Sequence, residues 1–131
     1  VDDGLVTIVS RRSARDTIDT LVEAIAKAGM IIFARIDHAA NAAAVGLHLR
    51  PTELVMFGHP ANGSVLMQDE QSTGLDLPFR ALAWEDENGE CWLTYNDPHW
   101  IGERHELGYK SKSVLSAVET GIAGLARLAT S

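Results

Sequence analysis

Cysteine occurs once in the 131 residues, at position 91, which excludes an intramolecular disulfide and any zinc site built on two or more thiolates. Basic residues are also in deficit. Eleven Lys and Arg stand against 18 Asp and Glu, for a net charge of -7, and the cations are scattered, whereas nucleic acid binding needs a clustered basic surface. The composition, 46% hydrophobic and 22% charged, holds no case for disorder, a fibre or a membrane span. Several catalytic signatures are missing too. "FGHPANG" lacks the lysine and spacing of a P-loop, no "GxSxG" elbow is present, and "RHELGY" places Tyr109 where a helical zinc protease needs its second histidine. The chain opens "VDDGLVTI" without Met, so a tag or an export segment is expected to have preceded Val1.

What remains reads as one domain over residues 1–131, a length that buries roughly two thirds of its unfolded surface. "LVTIVS" is a β-branched strand, and "SARD" is a capping box at Ser13 ahead of Ile18, Leu21, Val22 and Ile25, which recur at helical spacing until Gly29. "MIIFARI" is apolar enough at its start for a central strand covered on both faces. A short helix is expected in "HAANAAAVG", a strand in "RPTELVMFGHP", and a second short helix running from Ser64 as N-cap to Gly74. "LPFRALAWEDENGECWLTYNDP" alternates on both sides of Asn88-Gly89 and reads as a hairpin. Asp97 before Pro98 starts another short helix, and Val114, Leu115, Val118, Ile122, Leu125 and Ala129 mark a closing one. Inside it Gly121 and Gly124 cost about 1 kcal/mol each, which a close approach of helix to sheet would explain. The order implies an α+β two-layer antiparallel sheet with two long helices on one face. Its other face must be covered by the short helices or by a second copy, so a homodimer is expected.

Chemistry concentrates where strands end. Asp37 and His38 follow the apolar strand, where a carboxylate beside an imidazole serves a general base or a metal ligand, while Asp37 equally caps the helix after it. His59 sits between Gly58 and Pro60 at another strand exit, and Asp76 precedes Pro78, which cannot donate to a ladder. Tyr95, Asn96, Asp97 and His99 gather donors and acceptors after the hairpin, although Asp97 also reads as a cap. Cys91 alternates inside the hairpin as a small core residue. Trp84, Trp92 and Trp100 with Phe57 and Phe79 would line a pocket for a planar ligand such as haem, or simply pack the core.

"FARIDHAANA", "LRPTELVMFGHP", "LMQDEQSTGLDLP" and "WLTYNDPHW" together resemble an uncharacterised bacterial and archaeal family, the domain of unknown function 302, over nearly the whole chain. The resemblance implies a TATA-binding-protein-like β-α-β4-α fold with short helical insertions, often dimeric, and no established activity. It also implies export, hence a periplasmic location, the cytoplasm being the alternative. Asp37, His38, Gly58, Pro60, Asp76, Pro78, Tyr95 and Pro98 fall on its signature segments. His59 replaces the usual asparagine of "FGNP", adding an imidazole that a metal can use. Asp69 and "GYKS" stand where many relatives carry cysteines, so a shared thiol chemistry is absent.

The expectation is therefore a dimeric small-ligand-binding domain, without an enzyme's machinery, whose site combines Asp37, His38, His59, Asp76 and Tyr95 on one rim. The rival is a metal or haem protein using His38 and His59, with His99 or Asp76 completing the shell. No cofactor is required by the residues, and neither nucleic acid nor membrane is an expected partner.

Overall fold

The computed structural model describes residues 3–131, so Val1, with its expected preceding segment, lies outside the described residues. The elements run β1 (Leu5–Ser10), α1 (Ala14–Lys27), β2 (Ile31–Asp37), α2 (His38–Ala44), β3 (Thr52–Gly58) and α3 (Pro60–Asp69). A 3-10 turn over Gln71–Asp76 leads into β4 (Phe79–Glu85), β5 (Cys91–Asn96), α4 (Pro98–Arg104), a 3-10 turn over Tyr109–Ser111 and α5 (Lys112–Thr130). The sheet is antiparallel throughout, in the order β1-β5-β4-β3-β2. This is the expected two-layer β-α-β4-α architecture.

Strand alternation decides what each sheet face does. Val55 and Phe57 on β3, Phe79, Ala81 and Ala83 on β4, and Leu93 on β5 are buried on one face. Ile18, Leu21 and Ile25 of α1 and Leu115, Ile122 and Leu125 of α5 close over them in one core. Cys91 belongs to the same buried face, and burial pushes its thiol up, as suits an inert core residue. The opposite face carries Leu5, Val9, Trp92, Leu82, Trp84 and Leu54. No helix among the described residues shields it: Leu5 is 56% exposed and Val9 49%.

Local signals account for most element ends. The Ser13 hydroxyl accepts from the Asp16 N–H at 3.0 Å, and Gly29 leaves α1 at φ 77°. Only Gly89 of the Asn88-Gly89 pair takes positive φ. Its N–H bonds the Asp86 carbonyl at 3.1 Å, while the Asp86 N–H bonds the Glu90 carbonyl at 2.8 Å. The hairpin thus closes on a type I turn with a glycine bulge.

Four expectations change. β2 is an edge strand, not a doubly covered one, and a register shift between Ile32 and Ala34 turns Phe33 outward at 49% exposure. Helix α3 starts at Pro60, with His59 in the capping position, because proline suits the first helical residue; Ser64 lies inside it and Gly74 beyond it. The short helices leave the second sheet face open. Gly121 and Gly124 make no close approach to the sheet: a Cβ on Gly121 would meet nothing within 4 Å. The tight contact is elsewhere, at Gly102 of α4, where a Cβ would come within 2.7 Å of the Leu115 side chain on α5.

Candidate functional site

β3 separates the candidate residues. Asp37 pairs with Glu53 near the start of β3, and His59 follows Gly58 at its end. Five residues of strand intervene, a span of about 20 Å at 3.3 Å per residue step. The proposed rim of Asp37, His38, His59, Asp76 and Tyr95 is therefore split, with the first two at one end of the sheet and the others away from them.

At the first end charge is answered by charge. Asp37 caps α2 through the Ala40 N–H at 2.9 Å and meets Arg15 at 3.1 Å. The buried Glu53 carboxylate takes Arg15 at 2.7 Å and Arg35 at 3.1 Å, and Arg35 also reaches Asp19 at 2.6 Å. A chain of this kind ties β2, β3 and α1 together and leaves its acids little capacity for a ligand. The His38 side chain, half-buried, finds no hydrogen-bond partner among the described residues.

The other end holds a cavity of about 270 Å³. Phe33, Phe57, Phe79, Met67 and Leu77 supply its apolar wall, and His59 stands at its edge. The bulge in β2 presents Phe33 to it, while the proline-started α3 brings Gly63 and Met67 over it. His59 also borders a second cavity of about 180 Å³, which reaches Met30, Val118 and Ile122. Of the predicted set, His59 alone lines this site.

Tyr95 is core, paired with Val6 and Ala81 on the helix-covered face. Burial, then the charge of Asp97, pushes its phenol up. His99 reaches across to Glu119 of α5 at 3.1 Å. The three histidines considered as ligands, His38, His59 and His99, are not assembled. Among the described residues no group of three or more His, Cys, Asp or Glu side chains is placed to hold a metal ion. The aromatics divide likewise: Trp84 and Trp92 stack on the open face with centroids 6.2 Å apart, and Trp100 lies under Arg104 at 5.8 Å. Phe57 and Phe79 stay with the cavity.

Asp76 belongs to a cluster that local sequence did not reveal. Its carboxylate takes His105 Nε2 at 2.5 Å and Arg104 Nη1 at 3.0 and 3.1 Å, while His105 Nδ1 faces the Ser72 hydroxyl at 2.9 Å. Ser72 and His105 lie 33 positions apart, so no spacing rule could join them. Nearby, Asp69 accepts from the Ser111 hydroxyl at 2.6 Å and the Gly108 N–H at 2.9 Å. These bonds hold the Asp69 carboxyl below the usual carboxylate range.

The sequence pattern of the family described as "Domain of unknown function DUF302" matches residues 6–125. The crystal structure titled as an uncharacterised conserved protein DUF302 from Bacillus stearothermophilus superposes with a TM-score of 0.85, covering 98% of this chain and 99% of that one at 15% identity. That likeness shows the fold alone. Proteins named "Fluoride-specific ion channel FluC 1" from Brucella suis and Brucella abortus are each 52% identical over 121 residues, covering 92% of this chain but 48% and 45% of theirs. The chain thus spans about half the length of the curated relatives it matches. No helix among the described residues is long and apolar enough to cross a membrane.

Proposed function

The chain belongs to the DUF302 family, and on that premise we propose that it is a small-ligand-binding domain that works as a homodimer. The observation that carries the reading is the cavity walled by Phe33, Phe57, Met67, Leu77 and Phe79 with His59 at its edge. Apolar walls with a few polar groups, here His59 and Ser64, are the usual composition of a small-molecule site. A volume of about 270 Å³ suits one or two fused aromatic rings or a short branched chain. The His59 side chain has no hydrogen-bond partner among the described residues, so its imidazole is available to a polar group on such a molecule.

Indole is a suitable probe, followed through the methyl resonances of Met67 in the cavity wall and Met56 on the open sheet face. Met67 is expected to shift saturably and Met56 to stay still. Gly63→Leu places a side chain toward Leu77 and Met67, whose nearest atoms lie 3.7 and 3.9 Å from a Cβ there. It should abolish the shift while stabilising α3 by up to about 1 kcal/mol. A still Met67 methyl, or binding indifferent to Gly63→Leu, removes the reading.

Dimerisation is supported by the open face. Five strands of six or seven residues, at about 4.8 Å between strands and 3.3 Å per residue, span about 400 Å² in projection, and Leu5, Val9, Leu54, Leu82, Trp84 and Trp92 supply its apolar part. Arg80 Nε on this face is the buried side-chain nitrogen or oxygen atom that lacks a partner among the described residues. With little other charge present, the face meets an identical copy across a two-fold axis with the two Arg80 side chains as its main like-charge pair. Light scattering should give twice the chain mass for the native protein and a single chain for Val9→Glu. A native monomer at tens of micromolar would sink the dimer.

The Brucella proteins supply the context for a partner. A channel needs membrane-spanning segments, and the half of those proteins outside the match is where we place them. The DUF302 half then acts as an attached binding unit.

A further inference from the structure

A hydrogen-bonded chain runs from Ser72 through His105 to Asp76, none of which lines the cavity, and the binding reading does not require it. Asp76 is also held by Arg104 at 3.0 and 3.1 Å, and a carboxylate so paired is an acceptor only. His105 Nε2, 2.5 Å away, therefore carries the hydrogen. In a neutral imidazole that leaves Nδ1 bare, so at 2.9 Å the Ser72 hydroxyl donates to it. This is the direction a general base needs to activate a hydroxyl. Exposure follows the same division of labour: the His105 side chain is 7% exposed and Asp76 15%, while Ser72 lies at the surface. The 3-10 turn supplies Ser72 and Asp76 from one rigid segment, and His105 is the C-cap of α4.

We propose that Ser72 is the nucleophile and His105 the general base of an ester-hydrolysing site, with Asp76 as the residue that positions the imidazole. Oγ of Ser72 bonds to the acyl carbon of a small ester as its proton passes to His105 Nδ1. The bond from that carbon to the leaving oxygen breaks, and the alcohol departs with the proton from Nδ1. Water then attacks the acyl-serine, gives a proton to Nδ1, and the acid leaves as that proton returns to Ser72. Asp76 keeps its charge throughout and stabilises the transient imidazolium, as in other serine–histidine–carboxylate sites, although here the two ring nitrogens exchange roles.

Diisopropyl fluorophosphate tests the arrangement, because the diisopropylphosphoryl-serine formed as fluoride leaves reports nucleophile and base without requiring turnover. Peptide mapping should place the adduct on Ser72, and Ser72→Ala should lose it. His105→Gln should slow labelling by about 10²-fold, the scale of general-base assistance. Asp76→Asn offers an amide donor to Nε2, which moves the ring hydrogen to Nδ1, so labelling should slow comparably. Imidazole ¹⁵N NMR should show hydrogen on Nε2 in the native protein and on Nδ1 in Asp76→Asn, a signature that loss of structure would not produce. Gly63→Leu, which closes the cavity, should leave labelling unchanged, so the two proposals fail separately. No adduct on native Ser72, labelling indifferent to Asp76→Asn, or native hydrogen on Nδ1 overturns the site even if a variant fails to fold.

Discussion

Glu53 and Gly58 stand at opposite ends of β3, and their surroundings differ in kind. Around Glu53, five charged side chains, Arg15, Asp19, Arg35, Asp37 and Glu53 itself, bond one another across three elements. Around Gly58 the walls are phenylalanine, methionine and leucine, and the His59 imidazole has no partner among the described residues. Residue types alone make the two ends look alike, since each offers an imidazole at a strand exit, His38 after β2 and His59 after β3. What separates them is satisfaction: a carboxylate that already accepts two guanidinium bonds contributes to the fold, and recognition falls to the group whose capacity is unspent.

The strongest way to break that contrast is Glu53→Gln. The substitution keeps shape and one acceptor oxygen but removes the charge that two arginines share. Bonds to charged groups contribute about 1.5–3 kcal/mol, and the partly exposed arginines recover some hydration, so a loss of about 2 kcal/mol is expected. Urea midpoints measure it. Indole binding at Met67 should stay as in the native protein; weaker binding would mean that the two ends are coupled through β3.

Asp37→Ala comes next. It removes the α2 cap, worth about 1 kcal/mol, together with an exposed bridge to Arg15 that adds little. His38→Ala should then change neither the urea midpoint nor indole binding. A clear effect of His38→Ala on binding would restore this end as a site.

Much of the fold was legible because it follows local rules. Ser13, Gly29, Gly89, Asp97 and the alternation of Ala81, Ala83, Leu93 and Tyr95 each carry their own signal. Edge position is different. "MIIFARI" has the composition of a buried strand, and only the register with β3 reveals Phe33 as the bulged, outward residue. The cavity was half legible: the loop position singles out His59, but nothing local to Met67 or Leu77 marks them as its wall. Ser72 and His105 were beyond reach, because a long-range pairing leaves no trace in either neighbourhood. Tyr95 misled for a related reason, since strand parity, not residue type, sends its phenol under α5.

Acid sharpens the comparison further, at the cavity end. Asp69 closes α3, which forms part of the cavity wall, and its bonds from Ser111 and Gly108 fasten that wall to the segment entering α5. Those bonds hold the folded carboxyl below its ordinary value, so the folded state resists protonation more than the unfolded chain does. The resulting stability is fully present above the ordinary aspartate range, about pH 4, and is lost as pH falls through the lower folded value. Asp86, bonded by Trp92 Nε1, the Glu90 N–H and the Asn88 N–H, behaves in the same sense at the hairpin. Asp69→Asn should therefore flatten part of the acid limb of Tm against pH, with Asp86→Asn flattening another part. In the native protein the Met67 methyl should broaden at a higher pH than that of Met56, because losing the Asp69 bonds frees the cavity wall while the ladder between β3 and β4 persists. Simultaneous broadening of both methyls would place Asp69 in the global unfolding unit and erase the distinction between a rigid sheet and a separately fastened cavity wall.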